Sequence, residues 1–93
     1  MKTIVVTRHK SLIQFLIEQK IIDQSDEVVS HATEELVEGN RVIGVLPIHL
    51  AALTSEYVNV PIHVPSELRG EELSIEEIRK YAQPIKTYIV NQK

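Results

Sequence analysis

The chain contains no cysteine and no tryptophan. Without thiols there is no disulfide framework, no thiolate nucleophile and no cysteine zinc site. Glycine is nearly as scarce, with only Gly39, Gly44 and Gly70. A glycine-rich phosphate loop and a dinucleotide fingerprint are both missing, so nucleotide hydrolysis of the P-loop type is excluded. Three Tyr and one Phe supply all the aromatics. The core is therefore expected to be Ile, Val and Leu, as in buried parallel strands. Near the N-terminus only Ile4 to Val6 are continuously apolar, and no run of about 18 apolar residues exists. This predicts a soluble, cytoplasmic protein with no signal peptide and no membrane partner. A basic excess is lacking too: ten Lys plus Arg face thirteen Asp plus Glu, for a net charge of −3. Long DNA or RNA is not the expected partner, because phosphate neutralisation supplies most of such affinity. The charge is uneven, however. Residues 1–20 carry Lys2, Arg8, Lys10 and Lys20 against Glu18 alone, a balance of +3 that suits a small anionic ligand.

With 93 residues, the chain is expected to form one domain, 1–93. A domain of this size buries only roughly 60–65% of its unfolded surface, which makes homo-oligomerisation a reasonable expectation. Thr3 to Thr7 reads as a first strand, and Leu12, Ile13, Leu16 and Ile17 then recur at helical spacing. Glu27 to His31 is a second strand. A turn of helix at Thr33 to Val37 precedes the Gly39-Asn40 break, and Ala32 to Asn40 is short for a parallel crossover, which normally takes about a dozen residues. Arg41 to Leu46 is a third strand, closed by Pro47. Ile48 to Ser55 is a short helix, apolar on most sides and expected to be buried on two faces. Tyr57 to Val64 is a fourth strand in which Pro61 marks an edge position or an interruption. After a polar loop from Pro65 to Glu72, Ser74 and Glu77 form a capping box. The helix they open has the stripe Ile75, Ile78, Tyr81, Ala82 and Ile85, and Lys86 to Asn91 is a last strand. This alternation predicts an α/β fold: a Rossmann-like domain with a mainly parallel five-stranded sheet and helices on both faces.

Three segments carry candidate chemistry. Arg8-His9-Lys10-Ser11 follows the first strand and opens the first helix. In a parallel sheet that junction faces the ligand crevice, and a helix N-terminus there favours anions. Arg8 would be a bidentate phosphate donor, with Ser11 as helix cap and hydroxyl donor; alternatively the segment is a solvated loop in which Ser11 only caps. Leu46-Pro47-Ile48-His49 is the second, a stiff strand-to-helix entry that would aim His49 at a ligand as donor, acid or base. The alternative for His49 is a bond to a neighbouring carbonyl. In the third, Ser66-Glu67-Leu68-Arg69-Gly70, Arg69 is either a phosphate or base contact or a surface partner of Glu67, Glu71 or Glu72. His31 and His63 fall at strand ends and read as satisfied core or edge residues. The His spacings of 22, 18 and 14 match no metal-ligand motif, so no metal site is expected.

The blocks V-V-T-R-H-K-S, V-V-S-H, V-I-G-V-L-P-I-H-L-A-A and P-S-E-L-R-G-E-E-L-S occur in that order. Together they resemble the small CRISPR-associated proteins of type III systems, specifically the Csx family numbered sixteen, over Ile4 to about Val90. The resemblance implies a Rossmann-like CARF domain, which binds cyclic oligoadenylate messengers across a homodimer, and it implies a ring nuclease. Such an enzyme cleaves cyclic tetra-adenylate to linear di-adenylate without metal or cofactor and switches the antiviral response off. The matched blocks mark the site without assigning roles. By the chemistry of their side chains, His9, His49 and Arg8 are the expected catalytic residues, and Thr7, Lys10, Ser11, Pro47, Leu50, Arg69 and Gly70 the expected ligand contacts. A sponge that stores the messenger uncut, or a protein-binding accessory, remains the alternative.

Overall fold

In the computed structural model, which describes residues 1–93, strands and short helices alternate along the chain. They are β1 (Thr3–Val6), α1 (Lys10–Glu18), β2 (Glu27–Val29), α2 (Glu34–Val37), β3 (Arg41–Gly44), α3 (Ile48–Ala51), β4 (Glu56–Asn59), α4 (Ile75–Tyr81) and β5 (Lys86–Tyr88), with a single 3-10 turn at Ser66–Leu68. The five strands form one sheet in the order β2-β1-β3-β4-β5. Strands β1 to β4 are parallel and β5 is antiparallel to β4. The expected α/β architecture is therefore present.

Side chains alternate across the sheet and divide the core in two. Val5, Ile43 and Val58 face one side, where they pack with Leu12, Phe15 and Leu16 of α1 and Ile78 of α4. Val42 and Tyr57 face the other side, with Val37 of α2 and Leu50 and Ala51 of α3. Each fully buried aliphatic side chain contributes about 1.5–3 kcal/mol. On α1 the spacing of Leu12, Phe15 and Leu16 places all three on one stripe, the periodicity of an amphipathic helix. The box expected at the start of α4 is closed both ways: Glu77 N–H donates to Ser74 Oγ at 3.2 Å and Ser74 N–H to Glu77 Oε1 at 3.0 Å.

Several elements are shorter than their apolar runs suggest. The third strand stops at Gly44 instead of Leu46: Gly44 still pairs with Val6 and Asn59, but its φ of 144 turns the chain out of the ladder after it. The fourth stops at Asn59, and since β4 lies between β3 and β5, Pro61 marks an interruption, not an edge. The first, second and fifth strands lose their last residues in the same way. Helix α3 is one turn and buries one face, not two: Leu50 and Ala51 point at the sheet while Ile48 is 73% exposed. Its neighbour Val45 is 70% exposed. The brief crossover from β2 to β3 is managed by a single turn, α2, whose N-cap Thr33 accepts from Leu36 N–H.

Candidate functional site

Parallel strands deliver the loops that follow them to one edge of the sheet. Strand β1 lies between β2 and β3, so the chain leaves it to one side and later returns on the other. Crevices open at such a switch point, beyond the C-terminal ends of the strands. Here the β1 and β3 backbones are in very close approach: a Cβ on Gly44 would stand 2.6 Å from the Val6 carbonyl oxygen.

Beyond β1, Thr7 N–H donates to Val29 O at 2.9 Å and prolongs the ladder, while Thr7 Oγ1 accepts from His9 N–H at 3.1 Å. That turn sets His9 as the N-cap of α1, with extended backbone and no side-chain capping bond. Ser11 is not the cap. It lies inside the first turn, and its hydroxyl donates to the Leu73 carbonyl at 2.5 Å, so its one O–H is engaged within the chain. The bond stitches α1 to the loop that follows β4.

That stitching produces a cleft of about 530 Å³ whose walls include Arg8 and His9 on one side and Arg69 and Gly70 on the other. Glu71 and Glu72 share the rim. The cleft is thus of mixed charge, with guanidinium donors for an anion and carboxylate acceptors for hydroxyl or amino groups. A hollow of about 340 Å³ adjoins it at the switch point, where Arg8 and His9 meet Thr7, Ser30, Gly44 and Val45. Arg8, His9, Thr7, Arg69 and Gly70 are therefore brought together. Lys10 is exposed at the first position of α1 and lines neither space.

The segment after β3 is placed differently. Leu46 and Leu50 are buried in the core beneath α2 and α3, on the opposite face of the sheet from α1 and α4. Leu50 is thus a packing residue of that face and lines neither cleft at Arg8. Pro47 and His49 are exposed, and neither lines the clefts at Arg8. Tyr57 holds this segment: its hydroxyl accepts from Leu46 N–H and donates to Asn59 Oδ1, each at 3.0 Å.

One residue of the site was read differently from the sequence. His31, assigned there to a strand end, stands directly against Arg8, whose Nη2 is 3.2 Å from both ring nitrogens. The signal was available, since Ser30 and His31 follow β2 at the same edge as the other loops. Ion pairing lies elsewhere in the molecule. Arg41 pairs with Glu56 across β3 and β4 at 3.5 Å, and Arg79 of α4 grips Glu18 of α1. The Arg79 hydrogen bond holds the Glu18 carboxyl below the usual carboxylate range.

A family model described as "Putative CRISPR-associated protein (Cas_VVA1548)" matches residues 4–91. The chain belongs to that family. The matched residues cover all of the sheet but Thr3, and every loop that builds the clefts. No curated protein and no solved structure matches the chain. No helix of this family member is long and apolar enough to cross a membrane.

Proposed function

We propose that this CRISPR-associated protein is a cytoplasmic ring nuclease of type III systems, a CARF-like member of the Csx family numbered sixteen. Its substrate is cyclic tetra-adenylate and its product linear di-adenylate. The observation that carries the reading is the single cleft in which Arg8 and His9, from the loop after β1, face Arg69 and Gly70, from the loop after β4. A cyclic oligonucleotide presents phosphates, ribose hydroxyls and adenine amino groups, and the Arg and Glu side chains of the rim match that mixture.

The chemistry is an internal transfer. A ribose 2′-OH attacks its own phosphodiester, the 2′-O–P bond forms and the P–O5′ bond breaks. One proton leaves the 2′-OH and one reaches O5′, giving a 2′,3′-cyclic phosphate and a free 5′-OH. The protein must hold the 2′-OH in line and offset the charge growing on the phosphorus oxygens. Arg8 and Arg69 supply positive charge and His9 a proton carrier. A two-fold dimer presents each group twice to a two-fold ring. The exposed Val45 and Ile48, beside His49 at the strand ends, are the apolar surface such a pairing would cover.

Sequestration without cleavage is the second reading. It is favoured by His49 lining neither cleft at Arg8, which leaves one fewer imidazole for proton transfer. Purified protein incubated with radiolabelled cyclic tetra-adenylate in EDTA tests both. Linear product is the expected result. Ring retained intact in complex supports the sponge, and ring that neither binds nor changes refutes both readings and leaves a protein-binding accessory.

A further inference from the structure

We propose that His31 is a catalytic residue, forming with His9 the pair of proton-transfer groups around Arg8. The inference rests on the ring-nuclease reading above. Internal transfer from a 2′-OH needs one group to take a proton and another to give one, beside a cation on the phosphate. The loops after β1 and β2 provide that set. His9 and Arg8 line both clefts; His31 lines neither, but unlike His49 it touches a lining residue, with Arg8 Nη2 3.2 Å from each of its ring nitrogens.

The contact is unlike an ordinary surface pairing. The chain has thirteen acidic side chains, and Glu71 and Glu72 share the cleft, yet the only side-chain partner of Arg8 is an imidazole. Its charge is therefore not neutralised from within. A guanidinium carries five N–H donors, and the one nitrogen turned to His31 leaves the others for a phosphate. A phosphate held there lies next to His31. On ligand binding the His31 nitrogen that accepts from Arg8 must turn from it to the attacking 2′-OH and take its proton, while its counterpart at His9 delivers one to O5′, or the two exchange these parts. In either case the protons balance and no further reactant is consumed. His31 is exposed, so its removal leaves an opening that a small molecule can enter from solvent.

The test uses the full chain with His31→Ala and His31→Gln. Two quantities are measured: single-turnover cleavage of cyclic tetra-adenylate, and binding of the same ring methylated at every 2′-O, which cannot react. The expected result for both variants is a rate about 10²–10⁴-fold below wild type, with binding of the methylated ring within about threefold. Gln can still accept from Arg8 but cannot carry a proton, so it should not restore the rate. Added imidazole should restore part of it to His31→Ala, and more basic imidazoles should change that rescue systematically. Wild-type rate in either variant, a loss of binding equal to the loss of rate, or no response to imidazole would overturn the role of His31 alone. A wild-type chain that cleaves no cyclic oligoadenylate would overturn the ring-nuclease reading, and this inference with it.

Discussion

Replacing Gly44 by Ala tests the close approach at the switch point. Gly44 stands opposite Val6 in the parallel ladder, and its added Cβ would meet the Val6 carbonyl oxygen at 2.6 Å. The obstacle is backbone, so no rotamer change relieves it. Nor can β1 withdraw freely, since Ile4 and Val5 are fully buried. The φ of 144 at this position adds conformational strain for any residue with a Cβ. Strain of that kind costs about 1–3 kcal/mol, and forcing atoms into a packed interior a further 1–3 kcal/mol or so. A total of about 2–6 kcal/mol is a large part of the ~5–14 kcal/mol expected for a domain of this length. At about 4–8 °C per kcal/mol, Tm should fall by at least about 8 °C. Gly39→Ala is the control. Gly39 also has positive φ, 73, but nothing lies within 4 Å of its would-be Cβ, so only the left-handed penalty of about 1–2 kcal/mol applies. Urea and thermal unfolding of both variants decide the matter. If Gly44→Ala proves no less stable than Gly39→Ala, the steric argument fails.

Arg8→Ala should weaken binding of cyclic tetra-adenylate by about 2–5 kcal/mol, the usual cost of losing a charge-assisted contact desolvated by its ligand; titration calorimetry giving wild-type affinity would remove Arg8 from the site. Tyr57→Phe strips the acceptor from the buried Leu46 N–H and should cost about 1–3 kcal/mol, read as a lower urea midpoint at unchanged m value. Glu18→Gln should matter only at higher pH. The Glu18 carboxyl is held below its ordinary value of 4.5 by Arg79, so the folded protein binds its proton less readily than the unfolded chain. The wild-type advantage is then fully present above that ordinary value and fades as pH falls through the lower folded one. Parallel melts from neutral to acid pH would expose the error if the difference instead grew on acidification.

What the sequence revealed depended on whether the deciding interaction was local. The capping box of α4 involves residues three apart and was readable outright. So was β1, whose unbroken Ile4-Val5-Val6 run belongs inside a parallel sheet. The reversal of β5 was not readable. An isolated antiparallel bridge sets Ile62 against Ala82 immediately beyond α4, and the β5 ladder begins separately with Asn59 facing Lys86, so the chain re-enters the sheet already antiparallel. The candidate site divides along the same line. Arg8, His9 and Arg69 were legible because loops after parallel strands share an edge whatever the strand order. The separation of His49 from them was not, because the face on which α3 packs follows from β3 lying beyond β1 relative to β2. The meeting of Arg8 with His31 spans 23 positions and exists only once β1 and β2 are paired. Ser11 has the composition of a cap, but its acceptor at Leu73 is 62 positions away.

That bond between Ser11 Oγ and the Leu73 carbonyl makes the two basic loops a calliper with a fixed gap. Leu73 immediately precedes Ser74, the cap of α4, so the jaw bearing Arg69 is clamped to two helix starts at once. Anionic ligands would then be sorted by how far apart they carry their negative groups. Loosening the clamp at Ser11 should blur that sorting and leave every charge where it is in the sequence.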